Sequence, residues 1–431
     1  MVETNLADQS PDRRIAPLQR KLGEQPEGSL QYVIAAAQLA ALAGETAAAR
    51  SALSRIMKEH TATLFASERL FAEALHLGVI ALDAGAASDL VGRKWGPFSL
   101  EFEDRRRPPE AVRWEIGDDR QSKLWVDLAI LRFSNSDGWV GRLSLLMQLL
   151  TAYNLSHAPK ASELYLNLGD GGHVPGLAFC ENRPGFFLVP DPIFLSRKGY
   201  EDTRQMIIKH SIAWDQRIPI AFWRGATGGR LTNPALGWCS LPRVQLCMLG
   251  REHPDLIDAG ISKLAQLHVY GIESEGEVRD TGLMRPYVRD PETLRYKYQI
   301  DIDGNTNSWP GLFQKLLTGN PVLKVASPHG YRQWYYDRLE PWRNFVPVAS
   351  DMSDLVENIL WLRSHDDEAR RIGEAGKQLA DALDYRGEIL RAGRTIDEAL
   401  CHFRRDRGGR DLPPQPGPAK PASTPAPSRK A

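Results

Sequence analysis

At 431 residues with 42% hydrophobic content, the chain has room for two or three domains, which excludes a peptide or a single small module. Lys plus Arg and Asp plus Glu each number 54, so the formal net charge is +0 and no global basic field exists to capture nucleic acid or anionic lipid. The four cysteines, Cys180, Cys239, Cys247 and Cys401, form no CxxC pair and read as reduced, buried thiols rather than a disulfide framework or a zinc site.

The opening residues MVETNLADQSPDRR carry acids and lack the apolar run of about 7 to 15 residues that a signal peptide needs. The longest apolar stretches, such as Val33 to Ala43, fall short of the roughly 18 consecutive apolar residues of a membrane span, so a cytoplasmic location with at most peripheral membrane contact is expected. Residues 1–28 are expected to be flexible. From Ser29 to residue 94, Ala and Leu recur at helical spacing around Gly44 and Gly85, which resembles tetratricopeptide-like hairpins. This region reads as a helical cap on a catalytic body, with a partner-binding array as the alternative.

Beyond Trp95 the pattern changes to short β-like runs separated by helical segments. SLEFED, KLWVDLAILRF, ELYLNL and GFFLVP are the strands of a first set, with helices over GRLSLLMQLLTAY and YEDTRQMIIKHSIAW. IPIAFWRG, LIDAGIS, YKYQIDID, PVLKVA and FVPV are the strands of a second, with helices over PALGWCSLPRVQLCMLGRE, GLFQKLLTG and SDLVENILWLRSH. Strands interleaved with helices are the signature of βαβ units. Two Rossmann-like α/β domains facing one another are expected over residues 95–214 and 215–365, closed by helices over 366–408. Residues 409–431, dominated by Pro, Ala and Ser, offer nothing to bury and read as a disordered tail.

Three segments carry candidate chemistry. In IPIAFWRGATGGR an apolar strand runs into Arg224, Gly225, Gly228, Gly229 and Arg230, ahead of a helix start at Asn233-Pro234. Glycines let backbone amides approach an anion and two arginines fork onto phosphate oxygens, so this loop suits a nucleotide diphosphate. The plain alternative is a glycine-rich turn with arginines on surface carboxylates. In RYKYQIDIDGNTNSWPGLFQKLL a strand delivers Asp303 to its end, and Asn305, Thr306, Asn307 and Ser308 open a helix whose free amides would face phosphate or ribose. In ELYLNLGDGGHVPG a strand ends at Asp170, placed to reach across a cleft as a general base or, as Asp-Gly more often does, to cap its own turn. No HExxH, GxSxG or GxxxxGK[ST] motif occurs, which removes support for hydrolase and kinase readings.

Taken together, FWRGATGGR, YKYQIDIDGNTNSWPGLFQKLLTGNPVL and WYYDRLEPWRNFVPVASDMSDLVENILWLRSHDDEARRIGEAGKQL resemble, in order and spacing, the glycosyltransferase family 90 proteins over roughly residues 160 to 380. The resemblance implies a GT-B architecture and inverting transfer from a UDP-sugar, of the glucose or xylose class, without a metal cofactor. It implies Asp170 as the catalytic base. Arg224 and Gly225 match the family's donor-side Arg-Gly, and Lys297 lies in its Tyr-Lys-Tyr strand. Gly171-Gly172 stands where relatives have an aromatic residue and Pro, and Pro310 stands where relatives have Arg after the Ser-aromatic pair. Phosphate binding would then fall to Arg224, Arg230, the helix amides or Lys315. The expected acceptor is a glycan or lipid-linked glycan such as a lipopolysaccharide or capsule precursor, and nucleic acid is not an expected partner. Two rivals remain: a metal-dependent transferase using Asp301 and Asp303, and a non-catalytic sugar-binding scaffold with a protein partner on residues 29–94.

Overall fold

The computed structural model describes residues 12–105, 111–117, 121–132, 136–157, 161–272 and 275–407, and every statement below concerns these residues. The tail 409–431 and residues 1–11 lie outside them. The remainder of the N-terminal segment expected to be flexible contains the helix Asp12–Glu24, whose Arg14 guanidinium donates to the Leu131 carbonyl.

The first half is built on a six-stranded sheet of order β1-β3-β2-β4-β5-β6. Its strands are β1 Phe98–Glu103, β2 Ala111–Ile116, β3 Ser122–Asp127, β4 Ser162–Asn167, β5 Gly176–Ala178 and β6 Phe186–Leu188. All pairs are parallel except those of β2, which runs antiparallel to both β3 and β4. The alternation pattern does not reveal β2, because Arg113 stands in the middle of its apolar run. That arginine is buried all the same: it contacts Glu103 at 2.7 Å, Glu115 at 3.2 Å and Glu163 at 3.4 Å and lies over the Trp125 ring. Buried charge is tolerated where it is paired. The strand expected to run through KLWVDLAILRF stops at Asp127, whose carboxylate accepts the Ala129 amide at 2.9 Å and turns the chain into a 3-10 segment.

The second half is the parallel sheet that the sequence predicts. Its order is β11-β10-β9-β7-β8, with β7 Ile218–Ala226, β8 Ile257–Lys263, β9 Tyr296–Asp301, β10 Val322–Val325 and β11 Val346–Val348. The single helix expected over residues 234–252 is two elements. A 3-10 segment Pro234–Ser240, with Gly237 at φ 55°, ends before Pro242, which opens the α-helix Pro242–Glu252.

The helices Leu30–Leu42, Thr46–Glu59, Thr61–Ala66, Glu68–Ile80 and Ala84–Trp95 form the cap. Their apolar faces do not make a core of their own: Leu53, Phe71, Leu75 and Val91 belong to one continuous cluster with Leu100, Trp114, Leu146 and Leu166 of the first half. The helix Asp366–Ala382 packs on the second half, where Gly373 lets it approach so closely that a Cβ there would lie 2.4 Å from the Gly319 carbonyl. The helix Tyr385–Arg407 then crosses back, and its Ala392, Ile396, Ala399 and Leu400 complete the first half's core. A third cluster, with Phe194 and Tyr200 against Phe313, Trp334 and Tyr335, joins the halves. Two α/β halves facing a cleft constitute the GT-B-type arrangement expected. Cys180 and Cys247 are buried as predicted, whereas Cys239 is only partly so and Cys401 is exposed on the returning helix.

Candidate active site

The loop after β4 is shaped by Asn167, the last residue of that strand. Its side-chain oxygen accepts the His173 and Val174 amides at 2.8 and 3.1 Å, while its Nδ2 donates to the Val174 and Leu177 carbonyls at 2.8 and 2.9 Å. This tight loop turns Asp170 toward the cleft. Gly172 is required on steric grounds, since a Cβ there would lie 2.1 Å from the Phe186 ring. Its amide donates to Glu181 at 3.0 Å.

Asp170 links the two halves. Its Oδ1 accepts from Arg142 Nη2 at 3.0 Å, its Oδ2 from Asn305 Nδ2 at 3.0 Å, and its carbonyl from the Thr306 hydroxyl at 2.9 Å. The carboxylate remains 37% exposed and opens onto a cavity of about 820 Å³ between the halves. Of the expected donor residues, Gly228, Asn305, Asn307 and Ser308 line this cavity, together with Arg243 and Trp309. Trp309 has φ 52°, unusual for a residue with a side chain, and its ring lies against Arg142 at 4.6 Å and Phe179 at 5.9 Å.

The remaining expected residues stand elsewhere. Arg224 does not line the cavity: it is tied to Asp258 Oδ1 at 2.6 Å and to the Asp258 and Trp223 carbonyls at 2.9 Å, and Tyr296 donates to the other oxygen of Asp258. Gly225, beside it, is packed under the Trp223 ring. Lys297 reaches Asp366 at 2.9 Å under Trp214, joining β9 to the helix Asp366–Ala382. Lys315 donates to Asp301 at 3.0 Å. Gly229 is engaged through both its amide and its carbonyl by the Tyr270 hydroxyl, and exposed Arg230 contacts the Tyr331 hydroxyl at 3.0 Å. The helix Pro310–Leu317 does not offer the free amides expected. Trp309 N is taken by Asn307 Oδ1 at 2.7 Å, Gly311 N by the Ser308 carbonyl at 3.0 Å and Leu312 N by Ser308 Oγ at 3.2 Å.

Asp303 also lies outside the lining. Lys324 Nζ sits between Asp303 Oδ1 at 2.9 Å and Asp301 Oδ2 at 3.1 Å, and all three side chains are buried. Burial works against the charge on Asp301, but Lys315 and Lys324 outweigh it and hold that carboxyl well below its usual range. At Asp303 burial dominates over Lys324 and, with the charge on Asp301, pushes the carboxyl up. Burial opposes the charge on Lys324 too, yet the two carboxylates keep the ammonium firmly protonated. Both members of the Asp301-x-Asp303 pair therefore face lysines.

The arginine in the cleft is one that motif reading misses. Arg243, the second residue of the helix Pro242–Glu252, donates to the carbonyls of Asp303 at 3.0 Å, Ala226 at 3.2 Å and Ile302 at 3.3 Å. Burial lowers its pKa from the usual value, with Asp301 and Asp303 pulling the other way. It is thus a half-buried cation fixed by backbone oxygens at the cavity wall. A signal for it exists in the sequence: a cation in the first turn of a helix opposes the helix dipole, and an anion at that place removes the conflict. Close by, Asn307 is 3% exposed and its Nδ2 has no partner.

The sequence profile of Glycosyl transferase family 90 matches residues 198–385, a span that holds Gly228, Arg243 and the Asn305–Ser308 loop but not Asp170. The human protein O-glucosyltransferase 3 is 31% identical over 240 residues, covering 51% of this chain and 43% of that protein. The zebrafish (Danio rerio) protein O-glucosyltransferase 2 is 29% identical over 170 residues, 39% of this chain and 29% of that one. The chain thus spans less than half the length of these curated relatives. Among solved structures, Anabaena HepE in complex with UDP and glucose superposes with a TM-score of 0.32 at 11% identity, over 76% of each chain. Sucrose-phosphate synthase of Thermosynechococcus elongatus superposes at 0.35 and 12%, over 78% of this chain and 80% of that one. Through residues 198–385, the segment that builds the second half and its cleft loops, the chain is similar to glycosyltransferase family 90.

Proposed function

We propose that the protein is an inverting glycosyltransferase that moves a sugar of the glucose or xylose class from a UDP-sugar to a hydroxyl of a glycan acceptor, such as a cytoplasmic lipopolysaccharide or capsule precursor. The observation that carries this reading is the meeting of a strand-end carboxylate, Asp170, and a half-buried guanidinium, Arg243, on one cavity between two α/β halves. The acceptor hydroxyl attacks the anomeric carbon as its proton passes to Asp170, and the bond from that carbon to the diphosphate oxygen breaks with its electron pair leaving on UDP. Arg142 and Asn305 orient the base. Each takes one lone pair of a different Asp170 oxygen, so acceptor capacity is left for the incoming proton. Arg243, in place of Arg224, and the unpartnered Asn307 Nδ2 stabilise the departing diphosphate. The reading needs no divalent metal, because the charge that would hold one on Asp301 and Asp303 is matched by Lys315 and Lys324.

The test is Asp170→Asn assayed for UDP release from UDP-glucose and UDP-xylose, with calorimetry against UDP. Turnover should fall by about 10²-fold or more, the usual contribution of a positioned base, while UDP affinity and melting temperature stay at wild-type values. A variant that keeps more than about half of its turnover removes Asp170 from the chemistry. Wild-type protein that binds UDP without turning over either donor supports the sugar-binding scaffold instead.

A further inference from the structure

The cavity at Asp170 extends beyond the two halves. Glu68, Arg69 and Ala72, in the first turns of the cap helix Glu68–Ile80, line it opposite Gly138, Gly141 and Leu145 of the helix Ser136–Ser156. Residues 138, 141, 142 and 145 share one helix face, so Gly138, Gly141 and Leu145 form a wall that leads along the helix to Arg142 and, through it, to Asp170. Neither glycine has a structural reason to be there. A Cβ at Gly138 or Gly141 would meet nothing within 4 Å, and neither has a positive φ. Glycine inside a helix weakens it, so two bare positions on the face beside the base keep a slot open at the expense of helix stability.

The walls of the slot define what fits. Both are helices, and neither offers the sheet edge along which an extended peptide would add as a strand. What the walls present is a carboxylate and a guanidinium at the mouth, Glu68 and Arg69, over small and apolar surface at Ala72 and Leu145. Glu68 and Arg69 are already partnered, by Lys94 at 3.3 Å and Glu73 at 2.9 Å, so neither carries an uncompensated charge that would select an ion. A ring with one apolar face and a rim of hydroxyls matches this arrangement. We infer that the helical cap forms the acceptor wall of the active site and that the slot over Gly138 and Gly141 takes a neutral sugar ring, so the acceptor is a carbohydrate chain. The inference rests on the proposed transferase activity.

The experiment measures UDP release from UDP-glucose by the full-length protein with and without p-nitrophenyl glycosides of glucose, galactose, mannose and xylose, beside calorimetry with UDP. At least one glycoside should accelerate release by the wild-type protein. Gly141→Leu, which fills the slot and favours the helix, should raise the KM for that glycoside about tenfold or more while UDP affinity and melting temperature are kept. Arg69→Ala, at an exposed head, should raise it less. Should Gly141→Leu fold poorly, Arg69→Ala decides the matter by the same KM. The inference is overturned if no glycoside accelerates release, or if both variants use the glycoside with wild-type KM. Failure of the wild-type protein to bind UDP identifies the transferase reading as the fault, and the slot inference falls with it.

Discussion

The cores of the two halves are assembled from different lengths of chain. The second half's cluster runs from Ala221 to Ile372 without help from elsewhere, around an all-parallel sheet. The first half's cluster draws on residues 34–91 of the cap, 98–195 of the sheet and its helices, and 392–400 of the returning helix. One half is closed by its own sequence and the other by both ends of the described chain. Apolar contacts of the first half therefore span almost the whole length, and its stability depends on pieces that look like appendages.

The largest effect that would break this comparison is removal of the cap. Deleting residues 1–95 bares the side of the sheet and of the helix Ser136–Ser156 now covered by Phe71, Leu75, Leu77 and Leu90, a continuous apolar surface that water will not tolerate. The truncated protein should aggregate or lose its cooperative melting transition, as read by light scattering and calorimetry. A soluble truncation that melts at the wild-type temperature would mean the cap is an independent docking module.

The second prediction compares two arginines. Arg243→Ala should weaken UDP binding roughly tenfold to a hundredfold, the value of a charge-assisted phosphate contact of about 1.5 to 3 kcal/mol. Arg224→Ala should leave UDP affinity unchanged and instead lower stability by about 1 to 3 kcal/mol, because it takes the guanidinium partner from the Asp258 carboxylate. Calorimetry with UDP and chemical denaturation of both variants separate the roles. A loss of UDP affinity on Arg224→Ala alone would restore the motif reading and reassign Arg243 to structure.

This pair also illustrates what can be read from the chain by itself. The strands of the second half were legible because parallel strands buried on both faces produce compact apolar runs between helices, and the cleft loops followed from where those strands end. Gly228, Asn305, Asn307 and Ser308 follow from the ends of those strands, and Asp170 from the end of β4 in the first half. Positive charges were not legible in the same manner, because a lysine or arginine is defined by its partner, and the partners lie far away in sequence. Asp258 for Arg224 is 34 residues distant and Asp366 for Lys297 is 69. The antiparallel strand β2 escaped for the same reason: Arg113 looks like a loop residue until Glu103 and Glu163 are brought beside it. Arg243 was hidden inside an ordinary amphipathic helix, and only its conflict with the helix dipole distinguishes it.

The smallest expected effect concerns the joint between cap and body. His76 of the helix Glu68–Ile80 is buried, with Nε2 at 2.8 Å from the Ser136 hydroxyl and Nδ1 at 3.3 Å from Gln38 Nε2. The Gln38 amide is a donor, so Nδ1 accepts and Nε2 carries the proton, which fixes the neutral tautomer. Burial lowers the pKa of His76 from 6.5 to about 4, with Asp137 and Glu73 raising it and Lys21 lowering it further. The unfolded chain consequently binds a proton below pH 6.5 that the folded protein refuses, so this contribution is complete above that pH and declines as pH falls toward 4. Between pH 7 and pH 5 the loss amounts to about 2 kcal/mol, from 1.36 kcal/mol per pKa unit. Asp191 acts in the opposite sense: burial pushes its carboxyl up to about 6, so acidification over the same interval stabilises the protein there. The net pH dependence of the wild-type protein accordingly mixes the two, and the informative quantity is a difference. His76→Gln removes only the imidazole term, so its stability relative to wild type should be poorest at pH 7 and improve by about 2 kcal/mol at pH 5. A gap between the two proteins that stays constant from pH 7 to pH 5 would mean that the joint opens to water and that the cap is held less tightly than the shared core implies.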